Sequence, residues 1–129
     1  MTDTTPPSKR RPRVLVVDDD DGIVRMLRDL LAHDYEPVAV ANATEAMGVL
    51  EREPFDAVIA DQMMPGVDGM DLCRQIRATP ESAEAAIFFV SGKSYEADLV
   101  RAFASGADGY IPKPLTREKM QEQASNLSR

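Results

Sequence analysis

The sequence predicts an α/β fold: a parallel sheet of five strands in the order 2-1-3-4-5, doubly wound with five flanking helices. Two observations carry this expectation. Short apolar runs without polar alternation recur along the chain, as strands buried on both faces read, and each is followed by apolar residues at helical spacing. Strand and helix alternating in this way imply right-handed crossovers, hence parallel strands covered on both faces. A third observation locates the chemistry, because the strands end in Asp18-Asp19, Asp61 and Ser91, and near Lys113. Open α/β sheets hold their ligands outside such carboxyl ends.

The first strand is the run Val14-Leu15-Val16-Val17, stopped by Asp18-Asp19-Asp20-Asp21. Ile23, Met26, Leu27, Leu30 and Leu31 then fall at i, i+3, i+4, i+7 and i+8 of a first helix, whose N-terminus Asp20 and Asp21 suit as capping acids. Residues 37–40 predict the second strand, and Thr44 can cap a helix through Ala46, Met47 and Leu50 that stops before Pro54. Ala57-Val58-Ile59-Ala60 predicts the third strand, closed by Asp61. After the Pro65-Gly66 turn, a third helix carries Met70, Cys73, Ile76 and Arg77. Residues 86–90 predict the fourth strand, closed by Ser91-Gly92, and Tyr95, Leu99, Ala102 and Phe103 mark the fourth helix, with Gly106 suited to its C′ position. A short fifth strand around Gly109-Tyr110-Ile111 precedes Pro112-Lys113-Pro114, and Met120, Ala124 and Leu127 form the only apolar stripe of a final helix, 116–129. Pro112 is compatible with an edge strand, where no ladder bond is lost.

The 129 residues suffice for one domain around a single core. Residues 1–12 lack apolar periodicity and read as a disordered basic arm, leaving 13–129 as the folded domain. Residues 1–13 carry +3 of a net charge of −7, so the remainder carries −10, the wrong sign for a duplex nucleic-acid reader. One cysteine cannot form an internal disulfide, and no apolar run nears the roughly 18–20 residues of a membrane span, so the expected compartment is the cytoplasm. Cys73 reads as a buried inert thiol and His33 as a surface residue. Neither a Gly-x-Gly-x-x-Gly after the first strand nor a Gly-Lys-Ser/Thr phosphate loop is present, which removes the two commonest nucleotide sites.

With the first and third strands adjacent, Asp18, Asp19 and Asp61 converge and repel one another unless a cation neutralises them. Mg²⁺ fits, because it takes oxygen ligands, keeps several waters and typically uses one or two carboxylates together with a phosphate. Opposite them, the Ser91 hydroxyl and the Lys113 ammonium supply a hydrogen-bond donor and a point charge for a phosphoryl group.

These residues resemble the receiver domain of two-component response regulators, a flavodoxin-like fold. Val16-Val17-Asp18-Asp19 is similar to the family's acidic pair, and residues 61–69, Asp61 to Gly69, to its phosphoacceptor loop. Ser91-Gly92, Tyr110 and Lys113-Pro114 match its switch hydroxyl, switch aromatic and Lys-Pro motif. The resemblance covers residues 12 to 115 and implies that Asp61 accepts a phosphoryl group from a sensor histidine kinase or a histidine phosphotransfer protein. It further implies that Asp18, Asp19, Asp61 and the Met63 backbone carbonyl hold Mg²⁺, that Lys113 and Ser91 bind the phosphoryl oxygens, and that Ser91 and Tyr110 carry the switch. On this reading the chain is a signalling phosphoacceptor that promotes its own phosphorylation and dephosphorylation, not an enzyme with a separate substrate. It acts on an output domain or partner protein, with the polar 116–129 segment as a connector, and its oligomeric state is open.

Two rival classes lack a required group. A Mg²⁺-dependent phosphohydrolase of the haloacid-dehalogenase type usually has a second acid two residues after its nucleophile, where Met63 stands. A flavin-binding protein usually has a Ser/Thr/Gly phosphate loop after the first strand, where four aspartates would repel the phosphate.

Overall fold

The computed structural model describes residues 11–61, 63–64, 67–92, 96–113, 116, 118, 119 and 122. In chain order the elements are β1 (Arg13–Val17), α1 (Asp21–Leu31), β2 (Glu36–Val40), α2 (Ala43–Arg52), β3 (Ala57–Asp61), β4 (Met63–Met64), β5 (Val67–Asp68), α3 (Gly69–Ala78), β6 (Ala86–Ser91), α4 (Glu96–Ala104) and β7 (Gly109–Pro112). The main sheet is parallel with order β2-β1-β3-β6-β7, which is the expected 2-1-3-4-5 once the two-residue hairpin β4-β5 is set aside.

Every strand residue from Val14 to Val17 and from Ala57 to Asp61 is buried, which explains the unbroken apolar runs. Alternate side chains feed two cores. Leu15, Val17, Val58, Ala60, Ile87, Phe89 and Tyr110 pack with α2 and α3, while Val14, Val16, Ile59, Phe88, Val90 and Ile111 pack with Leu27 and Leu31 of α1. β7 is an edge strand, so Pro112 costs no ladder bond.

Helices α1 and α2 start on side-chain caps. Asp20 Oδ1 accepts from the backbone N–H groups of Gly22 and Ile23, as an N-cap does. At α2 the cap is Asn42, not Thr44: its Oδ1 accepts from Glu45 N–H at 2.9 Å, and Glu45 Oε1 accepts in return from Ala41 N–H at 2.9 Å. The Asn-x-x-Glu spacing resembles a capping box, with the return bond taken from the residue before the cap, and leaves Thr44 inside the first turn. Among the described residues four helices are delimited, where five were expected. Of the segment 116–129 only Thr116 and the helical residues Glu118, Lys119 and Glu122 are described, with Thr116 Oγ1 accepting from Lys119 N–H at 3.1 Å. Most of the basic arm, the Pro65-Gly66 turn, Tyr95 and Pro114 also lie outside the described residues.

Candidate functional site

Strand register assembles the site. Val17 pairs with Ala60, so Asp18, one step further on, comes level with Asp61, and Asp61 pairs with Val90. Ser91 pairs with Pro112, and Lys113 N–H continues the ladder by donating to the Ser91 carbonyl at 2.7 Å. Residues far apart in sequence thus share the carboxyl end of the sheet, while Met63, two residues after Asp61, opens β4.

The carboxylates of Asp18, Asp19 and Asp61 each offer an oxygen within 4.8 Å of the others. Asp18 and Asp61 are buried, at 3% and 8% exposure, whereas Asp19 faces solvent. Lys113 Nζ lies 3.4 Å from Asp61 Oδ2, and the Ser91 side chain is buried at the end of β6. Tyr110, in the middle of β7, packs with Phe89 and Ala102 on the α3 side of the sheet. Asp20 and Asp21 stand apart as cap and first-turn acid. His33 is exposed beyond α1 beside Asp34, and Cys73 is buried with burial raising its thiol pKa.

The site is under electrostatic tension. Burial raises the Asp18 pKa from 3.8; Asp61 and Asp19 raise it further, against the opposing effects of the Asp20 N–H bond and Lys113. A carboxyl that holds its proton more tightly folded than unfolded makes the fold lose stability as pH rises from the unfolded value through the raised one. At pH 7 in a chelator the ionised Asp18 is therefore a net burden. Asp18→Asn, whose amide oxygen can still accept from Asp20 N–H, should melt at a higher temperature than wild type at pH 7. The gap should close below the ordinary carboxylate range, as followed by circular dichroism in EDTA; an equal or lower melting temperature at pH 7 contradicts this reading. An all-oxygen set of three acids is the donor chemistry that a hard divalent cation takes.

The chain is thus a doubly wound α/β domain with an acidic cluster and a lysine at the carboxyl end of its five-stranded parallel sheet. Residues 14–125 match the response regulator receiver domain family, and the chain belongs to it. It is 32% identical over 119 residues to the phosphate regulon transcriptional regulatory protein PhoB of Rhizobium meliloti (strain 1021), an overlap of 92% of this chain and 52% of that protein. The chain spans about half the length of the curated relatives it matches. Among solved structures, a response regulator from Chloroflexus aurantiacus J-10-fl shares 30% identity at a TM-score of 0.86, covering 93% of this chain and 100% of that one. The receiver domain of the sensor histidine kinase PA1611 from Pseudomonas aeruginosa PAO1 shares the fold at a TM-score of 0.82 and 23% identity, covering 92% of this chain and 99% of that one. That structure has a magnesium ion coordinated in its active site cleft. Receiver domains of this family are the phosphorylatable signalling modules of two-component systems.

Proposed function

We propose that this receiver domain takes a phosphoryl group onto Asp61 from the phosphohistidine of a sensor histidine kinase or histidine phosphotransfer protein, in a reaction that depends on Mg²⁺. The observation that carries this reading is the juxtaposition of three carboxylates within 4.8 Å of one another and a lysine ammonium 3.4 Å from Asp61. An Asp61 oxygen attacks phosphorus as the phosphorus–nitrogen bond of the donor breaks, leaving the electron pair on the imidazole and an acyl phosphate on the protein. Asp18, Asp19, Asp61 and the Met63 backbone carbonyl are the ligands offered to Mg²⁺. When bound, the ion neutralises charge on the carboxylates and the transferring oxygens. Lys113 offers its ammonium to a phosphoryl oxygen, and Ser91 offers its hydroxyl.

A hydrogen bond from Ser91 to the phosphoryl group draws the end of β6 toward Asp61, and Tyr110 on the adjacent strand follows, changing the surface read by an output domain or partner protein. The domain promotes its own phosphorylation and dephosphorylation instead of turning over a separate substrate. Residues 1–12 as a basic arm, 116–129 as a connector and a cytoplasmic location belong to the same reading. Among the described residues no helix is long and apolar enough to cross a membrane.

Intact-mass spectrometry after incubation with acetyl phosphate tests the proposal. One added phosphoryl group is expected with Mg²⁺ and none in EDTA. Equal uptake in EDTA would refute the metal dependence, and no uptake in either would refute the phosphoacceptor reading.

A further inference from the structure

The turn that follows α4 is tied to α3 by several side-chain bonds. Arg77, in the last turn of α3, donates from Nε and Nη2 to the Gly106 carbonyl at 3.0 and 2.8 Å, and from Nη2 to Asp108 Oδ2 at 2.7 Å. Its Nη1 donates to the carbonyls of Ala83 and Ala85, just before β6, so each of its three nitrogens is engaged. One turn earlier on the same helix, the buried Cys73 thiol donates to the Ser105 carbonyl at 3.3 Å. Asp108 extends the knot into the sheet, since its Oδ2 also accepts from Ile87 N–H at 2.9 Å and its own N–H donates to the Ile87 carbonyl at 2.8 Å. Gly106 is required for this approach: its φ is +109°, and a Cβ there would stand 3.1 Å from Arg77 Cγ.

The position of this knot matters for movement. It lies at the end of the sheet where β6 and β7 begin, whereas Ser91 and Lys113 stand at the other end. α4 joins the two ends, a nine-residue helix of about 13 Å that starts five residues after Ser91 and finishes one residue before Ser105. A guanidinium that bridges a helix end, a turn and a strand start resists sliding, because any translation of α4 breaks several charge-assisted bonds together. Rotation about that end leaves them intact.

We propose that Arg77 and Cys73 make the 105–108 turn a fulcrum, so that filling the Asp61 site swings the N-terminal end of α4 while its C-terminal end stays fixed on α3. The inference rests on the phosphoacceptor reading and adds to it the geometry of the response. Beryllofluoride with Mg²⁺ serves as the probe, a stand-in for the phosphoryl group, with its own ¹⁹F signal reporting occupancy. Amide shifts and hydrogen exchange are then compared between free and loaded protein.

In wild type, the amides of Val90–Gly92 and Glu96–Val100 should shift on loading, while exchange at Ser105–Asp108 changes by less than about twofold. In Arg77→Gln, loading should raise exchange at Ser105–Asp108 by about tenfold or more. Arg77→Lys should behave like Arg77→Gln, since an ammonium lacks the planar fork. Shifts at Ser105–Asp108 as large as those at Glu96–Val100 in wild type would overturn the fulcrum without recourse to any variant, and so would an unchanged pattern in Arg77→Lys. If no bound-fluoride signal appears in wild type, the phosphoacceptor reading falls and the fulcrum with it.

Discussion

Asp61→Asn is expected to take up no phosphoryl group from acetyl phosphate under conditions in which wild type takes up one. The substitution keeps the size of the side chain and an oxygen able to accept hydrogen bonds, so the burial of this position at the end of β3 and its pairing with Val90 should persist. What it removes is the anionic oxygen. A carboxylate can displace the donor's nitrogen and carry the phosphoryl group as an acyl phosphate, whereas a neutral amide is too weak a nucleophile to do so. It also removes one of three carboxylates in reach of a cation, so Mg²⁺ affinity should fall with it. Thermal melting of the variant separates loss of chemistry from loss of fold: with one fewer repelling charge, the metal-free variant should melt no lower than wild type. A mass gain equal to that of wild type would move the acceptor elsewhere, first to Asp19, the solvent-facing member of the cluster.

The central strands were legible because burial on both faces leaves runs of apolar residues, Val14–Val17, Ala57–Ala60 and 87–90, with polar residues only at their ends. The starts of β1 and β3 and the Gly109 start of β7 fall within one residue of the run that announces them, and the edge strand β2 begins one residue early, at Glu36, which pairs with Arg13 but is exposed and so adds nothing to an apolar run. The hairpin β4-β5 was not legible, since two-residue strands carry no periodicity. At α2, Asn42 and Thr44 compete as caps by residue type alone, and the pairing with Glu45 decides for Asn42. The acids at the strand ends could be read from sequence because parallel register converts the position where an apolar run stops into a position in space. The Arg77 knot could not. Its acceptors are chiefly backbone carbonyls at Ala83, Ala85 and Gly106, and a carbonyl is the same in every residue. Only Gly106, announced as a helix stop, hinted at it.

Lys113→Met should separate two properties that most damage to the site would impair together. The backbone of Lys113 is fixed independently of its side chain, through its N–H donated to Ser91, so the methionine stem can follow the same path. The ammonium stands 3.4 Å from Asp61 and its charge also acts on the neighbouring Asp18. In the proposed reaction it stabilises negative charge as it builds on the phosphoryl oxygens, and removing one such preorganised donor costs about 10²–10³-fold in rate. Mg²⁺ binding should move the other way, because without the lysine a divalent cation meets a more negative site. The ammonium also opposes the raised pKa of Asp18, so its loss pushes that carboxyl further up and lets protons compete with the metal. The titration therefore belongs at pH 8, where this competition is weakest. Calorimetry should then show Mg²⁺ bound at least as tightly as in wild type, while the rate of mass gain with acetyl phosphate falls by about two orders of magnitude or more. A rate within about threefold of wild type would remove Lys113 from the chemistry. A parallel loss of Mg²⁺ affinity would instead mean that the lysine holds the acidic cluster in place and acts as a structural ion pair.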